Sequence, residues 1–314
     1  MLAPHLGHCT KYPIIVDILT MIYPTSSEDF NLIELYEFDD RHVFKFEVNS
    51  NKYVIRLTKD IISMTTQNTV NCMKIAKRHL GDIIPYVFHH GIINDENYII
   101  MEYIEGDNLA NVWRESSEAH KIKIKEQLSN IVRNMRDVKF NFIGSLTSIE
   151  ENIVPGPITD YNIVEGRNVD SWDRGPFYNI NEWFISGLAL EAHNIKDKTI
   201  YDKILSLIGY IQSHRFNHTE FVLSHNDLDV WNILIDNQYN ITGIIDWEHG
   251  GAYPKHWEYL KRKFVNSPLE SIFETHVDKD VMELENIKSK ISDEKEEILQ
   301  MIDEFITLVD RRDK

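Results

Sequence analysis

The stretch from Phe221 to Gly250, FVLSHNDLDVWNILIDNQYNITGIIDWEHG, decides how the rest of the chain is read. Within it the apolar runs Asn232-Ile-Leu-Ile-Asp236 and Ile241-Thr-Gly-Ile-Ile-Asp246 flank Asn237-Gln-Tyr-Asn240, a composition that favours a tight reversal and predicts a β-hairpin. Folding about Gln238 and Tyr239 sets Asn232 opposite Ile245, so Asn232 and Asp246 meet at the open end of the hairpin. The loop ahead of the first strand brings Asp227 to the same end. Two carboxylates and a carboxamide therefore converge. Oxygen donors this few suit Mg²⁺ shared with substrate phosphates, rather than zinc or a closed calcium cage.

Taken singly, His225 would fit a packed core histidine, and Asp227 and Asp229 ordinary loop caps. Their joint spacing points to chemistry. His225-x-Asp227-x-x-x-x-Asn232, followed by an acid that ends the next strand, is the spacing of a kinase catalytic loop and its metal-binding aspartate. SHNDLDVWNILID and GIIDWE resemble the aminoglycoside phosphotransferase/choline kinase-like family, and the sequel AYPKHWEYLK resembles its fungal-type phosphotransferase members. The resemblance spans roughly residues 30 to 310, with sharp motifs only in 221–260.

That resemblance implies an α+β, protein-kinase-like, two-lobed fold with a β-rich N-lobe and a mostly helical C-lobe. It also implies ATP-dependent transfer of the γ-phosphoryl group to a hydroxyl of a small molecule. Asp227 would orient the acceptor hydroxyl and accept its proton, while Asn232 and Asp246 hold Mg²⁺ on the phosphates of ATP. His225 is expected to brace the loop. Arg56, in VIRL, would be the strand cation on the phosphates, with Lys52 and Lys59 as less well placed alternatives; an exposed strand arginine is the plain alternative for Arg56. The backbone groups of Glu102 and Ile104 would pair with adenine at a hinge. The expected division is an N-terminal arm and short helix over 1–29, an N-lobe over 30–101, a hinge over 102–106 and a C-lobe over 107–314.

Bulk properties are those of a globular soluble protein. The 314 residues are 42% apolar and 26% charged, enough for one large or two ordinary domains with buried cores. Cys9 and Cys72 are the only cysteines, which suggests a reducing, cytoplasmic setting and no disulfide framework. The glycosylation-type triplets at Asn217 and Asn240 are read as accidental, since a glycan on Asn240 would crowd the hairpin. A net charge of −17 argues against nucleic acid or anionic membrane as partners. The first residues have no basic leader and an apolar run too short to span a bilayer. His5, His8 and Cys9 lack a second ligand cluster at zinc-site spacing.

Along the chain, Phe44, Phe46 and Val48 line one strand face, and the turn Asn49-Ser-Asn51 leads to a partner strand over Tyr53–Leu57. A helix is expected over Thr66–His79, then strands over Tyr86–His90 and Asn97–Tyr103 around a turn at Ile93–Glu96. Helical stripes follow at Ile124, Leu128, Ile131, Met135 and Val138, and at Ile200, Ile204, Leu207 and Ile211. Two more helices are expected over Trp257–Val265 and Glu294–Arg311, the latter facing inward through Ile298, Met301, Phe305 and Leu308. Residues 141–180, rich in Gly, Pro and Asn, resemble the family's long insertion.

Two departures from the family stand out. The loop Glu37-Phe38-Asp39-Asp40-Arg41, which should cover the phosphates, has no glycine and three acids. The helix after Arg56 reads Asn68-Thr-Val-Asn71 where a glutamate should pair with the cation. They support a rival reading, a catalytically weak or inactive nucleotide-binding regulatory protein. A protein kinase ranks lower, since no DFG or APE-type segment occurs at or after Asp246. Trp247, Glu248, Trp257, Glu258 and Tyr259 suggest a cationic acceptor through acids and cation–π faces, or else simple packing.

Overall fold

The computed structural model of the protein describes residues 13–24, 30–38, 41–58, 64–149, 152–164, 167–214, 216, 220–275, 277–291 and 296–310. It forms two compact units. One gathers Met1–Met135, Leu146–Val154 and His225–Gly250; the other gathers Arg136–Ser145, Pro155–Ser224 and Gly251–Lys314. Architecture is α+β, with a β-sheet in the N-terminal part and mostly helices toward the C-terminus, as expected.

The first unit opens with helix α1 (Pro13–Ile22). Its Ile15, Ile18 and Leu19 recur at three- and four-residue steps and are buried against one face of a five-stranded antiparallel sheet. That sheet contains β1 (Ile33–Phe38), β2 (Arg41–Val48) and β3 (Asn51–Thr58), and after helix α2 (Met64–Leu80) it continues with β4 (Val87–Ile93) and β5 (Glu96–Glu102), in the order β1-β2-β3-β5-β4. Phe44, Phe46 and Val48 alternate into the core as predicted, and Phe46 stacks on Tyr53 at 5.2 Å. Both tight turns carry paired left-handed residues, Asn49 and Ser50 (φ 51° and 64°) and Asn94 and Asp95 (φ 48° and 65°). Such turns match the twist of the strands they join.

At the end of β3 the alternation fails: Ile55, Arg56, Leu57 and Thr58 are all buried. A buried guanidinium needs charged partners, and the site supplies them. Beyond β5 the chain forms β6 (Asp107–Asn108), α3 (Leu109–Trp113) and α4 (Glu118–Asp137), the last with Ile124, Leu128, Ile131 and Met135 buried. Val138 falls just past the helix end and is half-buried, so the predicted stripe stops one residue early.

Residues 141–180 carry no strand signal in their sequence, yet strands form. After β7 (Lys139–Phe140) they form two two-stranded sheets, β8 (Ser145–Ile149) with β9 (Asn152–Gly156), and β10 (Ile158–Val164) antiparallel to β11 (Arg167–Arg174). Thr-Asp-Tyr-Asn and Asp-Ser-Trp-Asp carry none of the apolar alternation that marks a half-buried strand.

The second unit is built mainly on helices: α5 (Ile180–His193), α6 (Lys198–Ser213) and, after the hairpin segment, α7 (Trp257–Phe264), α8 (Glu270–Phe273), α9 (Lys279–Lys290) and α10 (Glu296–Asp310). Its core draws Trp183, Phe184 and Leu188 from α5, the predicted Ile200, Ile204, Leu207 and Ile211 from α6, Leu284 and Ile287 from α9, and Ile298, Ile302, Phe305 and Val309 from α10. On α10 the buried stripe thus runs through Ile302 and Val309, with Met301 and Leu308 half-buried beside it, a register one residue from the predicted one at two positions. Strand β12 (Phe221–Ser224) ends this unit's part of the decisive stretch, and the hairpin strands β13 (Ile233–Ile235) and β14 (Ile241–Ile244) belong to the first unit. β12 pairs with β15 (Gly251–Pro254) and β7, while β13 pairs with β14 and β6. Among the described residues no helix is long and apolar enough to cross a membrane.

Candidate active site

The hairpin forms as its sequence dictates. Ile233 faces Ile244 and Leu234 faces Gly243, with a bulge before Ile235. Asp236 fastens the reversal: its Oδ1 accepts from the Gln238 and Asn240 amides at 2.8 Å each, and its Oδ2 accepts from Asn240 Nδ2 at 2.8 Å. These bonds, led by the Asn240 amide, hold the Asp236 carboxyl below its ordinary range.

At the open end the Ile245 amide donates to the Asn232 carbonyl at 3.0 Å, so Asn232 lies beside the residue that precedes Asp246. Asn232 is buried, and its Nδ2 donates to Asp227 twice, at 2.8 Å to the backbone oxygen and 3.0 Å to Oδ2. The Asn232 amide nitrogen is thereby committed to Asp227. His225 is fully buried, packs 4.6 Å from the Trp247 ring, accepts from the Asp227 amide on Nδ1 at 3.3 Å and meets the Ile245 carbonyl through Nε2 at 2.9 Å. With Nδ1 accepting, the proton sits on Nε2. Both ring nitrogens are thus spent bracing the loop that carries Asp227.

Asp246 adopts a left-handed backbone, φ 62° and ψ 62°, uncommon for any residue but glycine, asparagine or aspartate. The turn that follows, Trp247–His249, is anchored by a fully buried Trp247 whose Nε1 donates to the Ile244 carbonyl at 3.2 Å. Two carboxylates therefore leave one turn in different directions. The Asp246 side chain is 40% exposed, and that of Glu248 is 4% exposed.

Arg56 joins them. Its Nη2 donates to Glu248 Oε2 at 2.8 Å, its Nη1 reaches Asp246 Oδ1 at 3.4 Å, and its Nε donates to Thr58 Oγ1 at 3.3 Å. Arg41, at the start of β2, donates to Glu248 Oε1 at 2.5 Å, and His249 Nε2 lies 3.3 Å from the same oxygen. Burial works to raise the Glu248 carboxyl, but the His249 hydrogen bond and the charges of Arg56, His249 and Arg41 outweigh it and hold the group below its ordinary range. Asp246 moves the other way. Burial by the surrounding residues and the charge of Glu248 raise its carboxyl, against the pull of Arg56. A carboxylate so placed is one that an added cation would stabilise.

The remaining predicted residues fall as follows. Lys52 pairs with Glu105 at the surface, away from the carboxylates that hold Arg56, and Lys59 lies outside the described residues, as do Asp39 and Asp40, Asn217 and His5, His8 and Cys9. The Glu102 amide donates to the Tyr86 carbonyl at 2.8 Å, so that N–H serves the sheet. Ile104 packs on the hairpin: a Cβ on Gly243 would come 3.1 Å from its Cγ2. The five residues that suggested a cationic acceptor have other partners. Trp247 is core, Glu248 holds Arg56, the faces of Trp257 and Tyr259 carry Lys288 (4.7 Å) and Lys263 (5.8 Å), and buried Glu258 accepts from Ser224. Sequence reasoning passed over Arg41, Thr58 and Glu248 as members of the Arg56 cluster; the acid two residues past Asp246 was the available signal.

Comparison with known proteins identifies the fold and the family. The chain resembles the gentamicin complex of the aminoglycoside phosphotransferase APH(2″)-IIa, with a TM-score of 0.53 at 15% identity over 94% of this chain and 95% of that one. It likewise resembles a thermostable mutant of aminoglycoside phosphotransferase APH(4)-Ia in ternary complex with AMP-PNP and hygromycin B, with a TM-score of 0.50 at 15% identity over 93% and 98%. At this identity the likeness establishes the protein-kinase-like fold. No curated protein matches the chain by sequence. Residues 40–259, which include Arg56, Asp227, Asn232 and Asp246, match the phosphotransferase enzyme family (APH), so the chain belongs to that family and is a small-molecule kinase.

Proposed function

We propose that this phosphotransferase uses ATP and Mg²⁺ to phosphorylate a hydroxyl of a small molecule, with Asp227 as the catalytic base and orienting group. The observation that carries the reading is Asn232, whose amide group fixes Asp227 while its backbone carbonyl takes the amide next to Asp246. On this reading the acceptor hydroxyl donates to the Asp227 carboxylate and its oxygen attacks the γ-phosphorus. The new P–O bond forms as the bond to the β–γ bridging oxygen breaks, ADP leaves, and the hydroxyl proton passes to Asp227.

The donor set fits Mg²⁺: one partly exposed carboxylate on Asp246 and one carboxamide oxygen on Asn232, with room in the coordination shell for phosphate oxygens and water. When bound, the ion would neutralise charge on the β- and γ-phosphates. Arg56 would contact the same phosphates through Nη1, the edge that meets Asp246 only at 3.4 Å. Adenine would meet the backbone past β5 at Ile104 and the Glu102 carbonyl, given the Glu102 amide's bond within the sheet. The proposed lobes keep the expected limits, 30–101, hinge 102–106 and 107–314, with 1–29 as the arm.

The rival reading, a catalytically weak or inactive nucleotide-binding regulatory protein, rested on the glycine-free acidic loop and the absent helix glutamate. The Glu248 pairing of Arg56 supplies the carboxylate that the helix lacks, which answers the second of these. Calorimetric titration with MgATP separates the roles. Asp246→Ala should abolish Mg²⁺-dependent binding, whereas Asp227→Asn should retain it and lose turnover by at least ~10²-fold, the scale of general-base and positioning help. Equal loss of binding in both variants would refute the assignment.

A further inference from the structure

In protein kinases the strand cation is held by a glutamate on the following helix. Here that helix, α2, contains neither Asp nor Glu. It nevertheless holds the cation's surroundings by another route. Buried Asn68 donates through Nδ2 to the carbonyls of Glu248 (3.3 Å) and Gly250 (2.8 Å), and its Oδ1 accepts from the Leu146 amide at 2.7 Å. The loop lies directly on the helix: a Cβ on Gly250 would come 3.0 Å from Cys72 Sγ. From this tethered loop Glu248 reaches back to Arg56.

We propose that Glu248 is the positioning residue that orients Arg56 toward the nucleotide phosphates, taking the part that a helix glutamate plays elsewhere, with Asn68 fixing the loop from which it acts. The claim rests on the reading of Arg56 as the phosphate cation. Exposure divides the two acids. Asp246, 40% exposed, faces outward where ligands would arrive, while Glu248, 4% exposed, sits behind the guanidinium. Bond lengths divide the guanidinium in the same way. The 2.8 Å bond to Glu248 is a normal charge-assisted one, and the 3.4 Å approach to Asp246 is longer than such bonds run. Nη2 is therefore committed and Nη1 is exchangeable. Arg41, bonded to the other Glu248 oxygen, balances the cluster at two carboxylates and two guanidinium groups. Without Glu248, Asp246 is the carboxylate left to Arg56, and the cation would draw onto the proposed metal ligand.

A double-mutant cycle on MgATP binding tests this, with thermal unfolding recorded for each protein. Glu248→Gln, which keeps the volume and removes the charge, should weaken MgATP roughly 10-fold or more, the scale of a lost charged hydrogen bond. Arg56→Gln should weaken it at least as much, and the double variant should bind no more weakly than Arg56→Gln alone. A merely structural role would lower thermal stability and leave MgATP affinity alone. Wild-type affinity in Glu248→Gln, or losses that multiply in the double variant, would overturn the proposal. Wild-type affinity in Arg56→Gln would instead overturn the reading on which it rests. Should Glu248→Gln fail to fold, Glu248→Asp keeps the charge but shortens its reach. The same loss is expected of it, and wild-type affinity there counts against the proposal equally.

Discussion

Glu285 offers a test of the second unit's packing that is independent of the site. It is fully buried on α9, accepts from Trp183 Nε1 at 3.2 Å, pairs with Lys288 Nζ at 2.8 Å and lies 3.9 Å from His256 Nε2. Burial works to raise its carboxyl, but Lys288 and His256 together bring it down to about 2. A depressed carboxyl contributes stability above its unfolded value and loses it as pH falls through the folded one. The unfolded value is about 4.5, so the gap amounts to about 3 kcal/mol at neutral pH, of which about 2 kcal/mol is gone by pH 3. Glu285→Gln keeps an oxygen for the indole N–H and cannot titrate. Urea unfolding of both proteins between pH 7 and pH 3 is the assay. Wild type should lose about 2 kcal/mol more than the variant across that range, after the variant starts lower because Lys288 has lost its partner. Parallel pH dependence in the two proteins would show that Glu285 is not held as an anion by these neighbours, and would refute the reasoning.

Two further predictions concern the approach to the site. A Cβ on Gly106 would come 2.5 Å from Thr242 Oγ1 and 3.0 Å from the Ile235 carbonyl, so Gly106→Ala should cost about 1–3 kcal/mol in urea unfolding; an unchanged midpoint would mean that the segment does not press on the hairpin. Lys52→Ala should leave MgATP affinity and thermal stability as they were, because its partner Glu105 is a solvent-exposed neighbour; a weakened affinity would return Lys52 to candidacy for the phosphates.

The hairpin and its open end were legible because each step is local. Turn composition sets the reversal, the reversal sets the register, and the register puts Asn232 beside Ile245. The N-terminal sheet was legible for the same reason, through alternation in β2 and the Asn-Ser and Asn-Asp turns. The partner of Arg56 was not. Glu248 is 192 positions away, and it reaches Arg56 only from the turn that the left-handed Asp246 starts. On the helix, where a kinase carries a carboxylate, Asn68 instead binds the loop backbone. At the hinge, likewise, no side chain signals that the Glu102 amide is engaged with the Tyr86 carbonyl. Strands β10 and β11, which pair with each other, escaped because Thr-Asp-Tyr-Asn and Asp-Ser-Trp-Asp lack a regular apolar alternation.

Phosphoryl transfer itself is the most direct measurement. Purified protein with MgATP and a panel of hydroxylated small molecules, neutral polyols and sugars beside hydroxylated amines, should release ADP in an acceptor-dependent manner and leave phosphate on the acceptor, detected by mass. Asp227→Asn should lower that rate by at least ~10²-fold with MgATP still bound. Transfer that persists at the wild-type rate in Asp227→Asn would contradict the central claim.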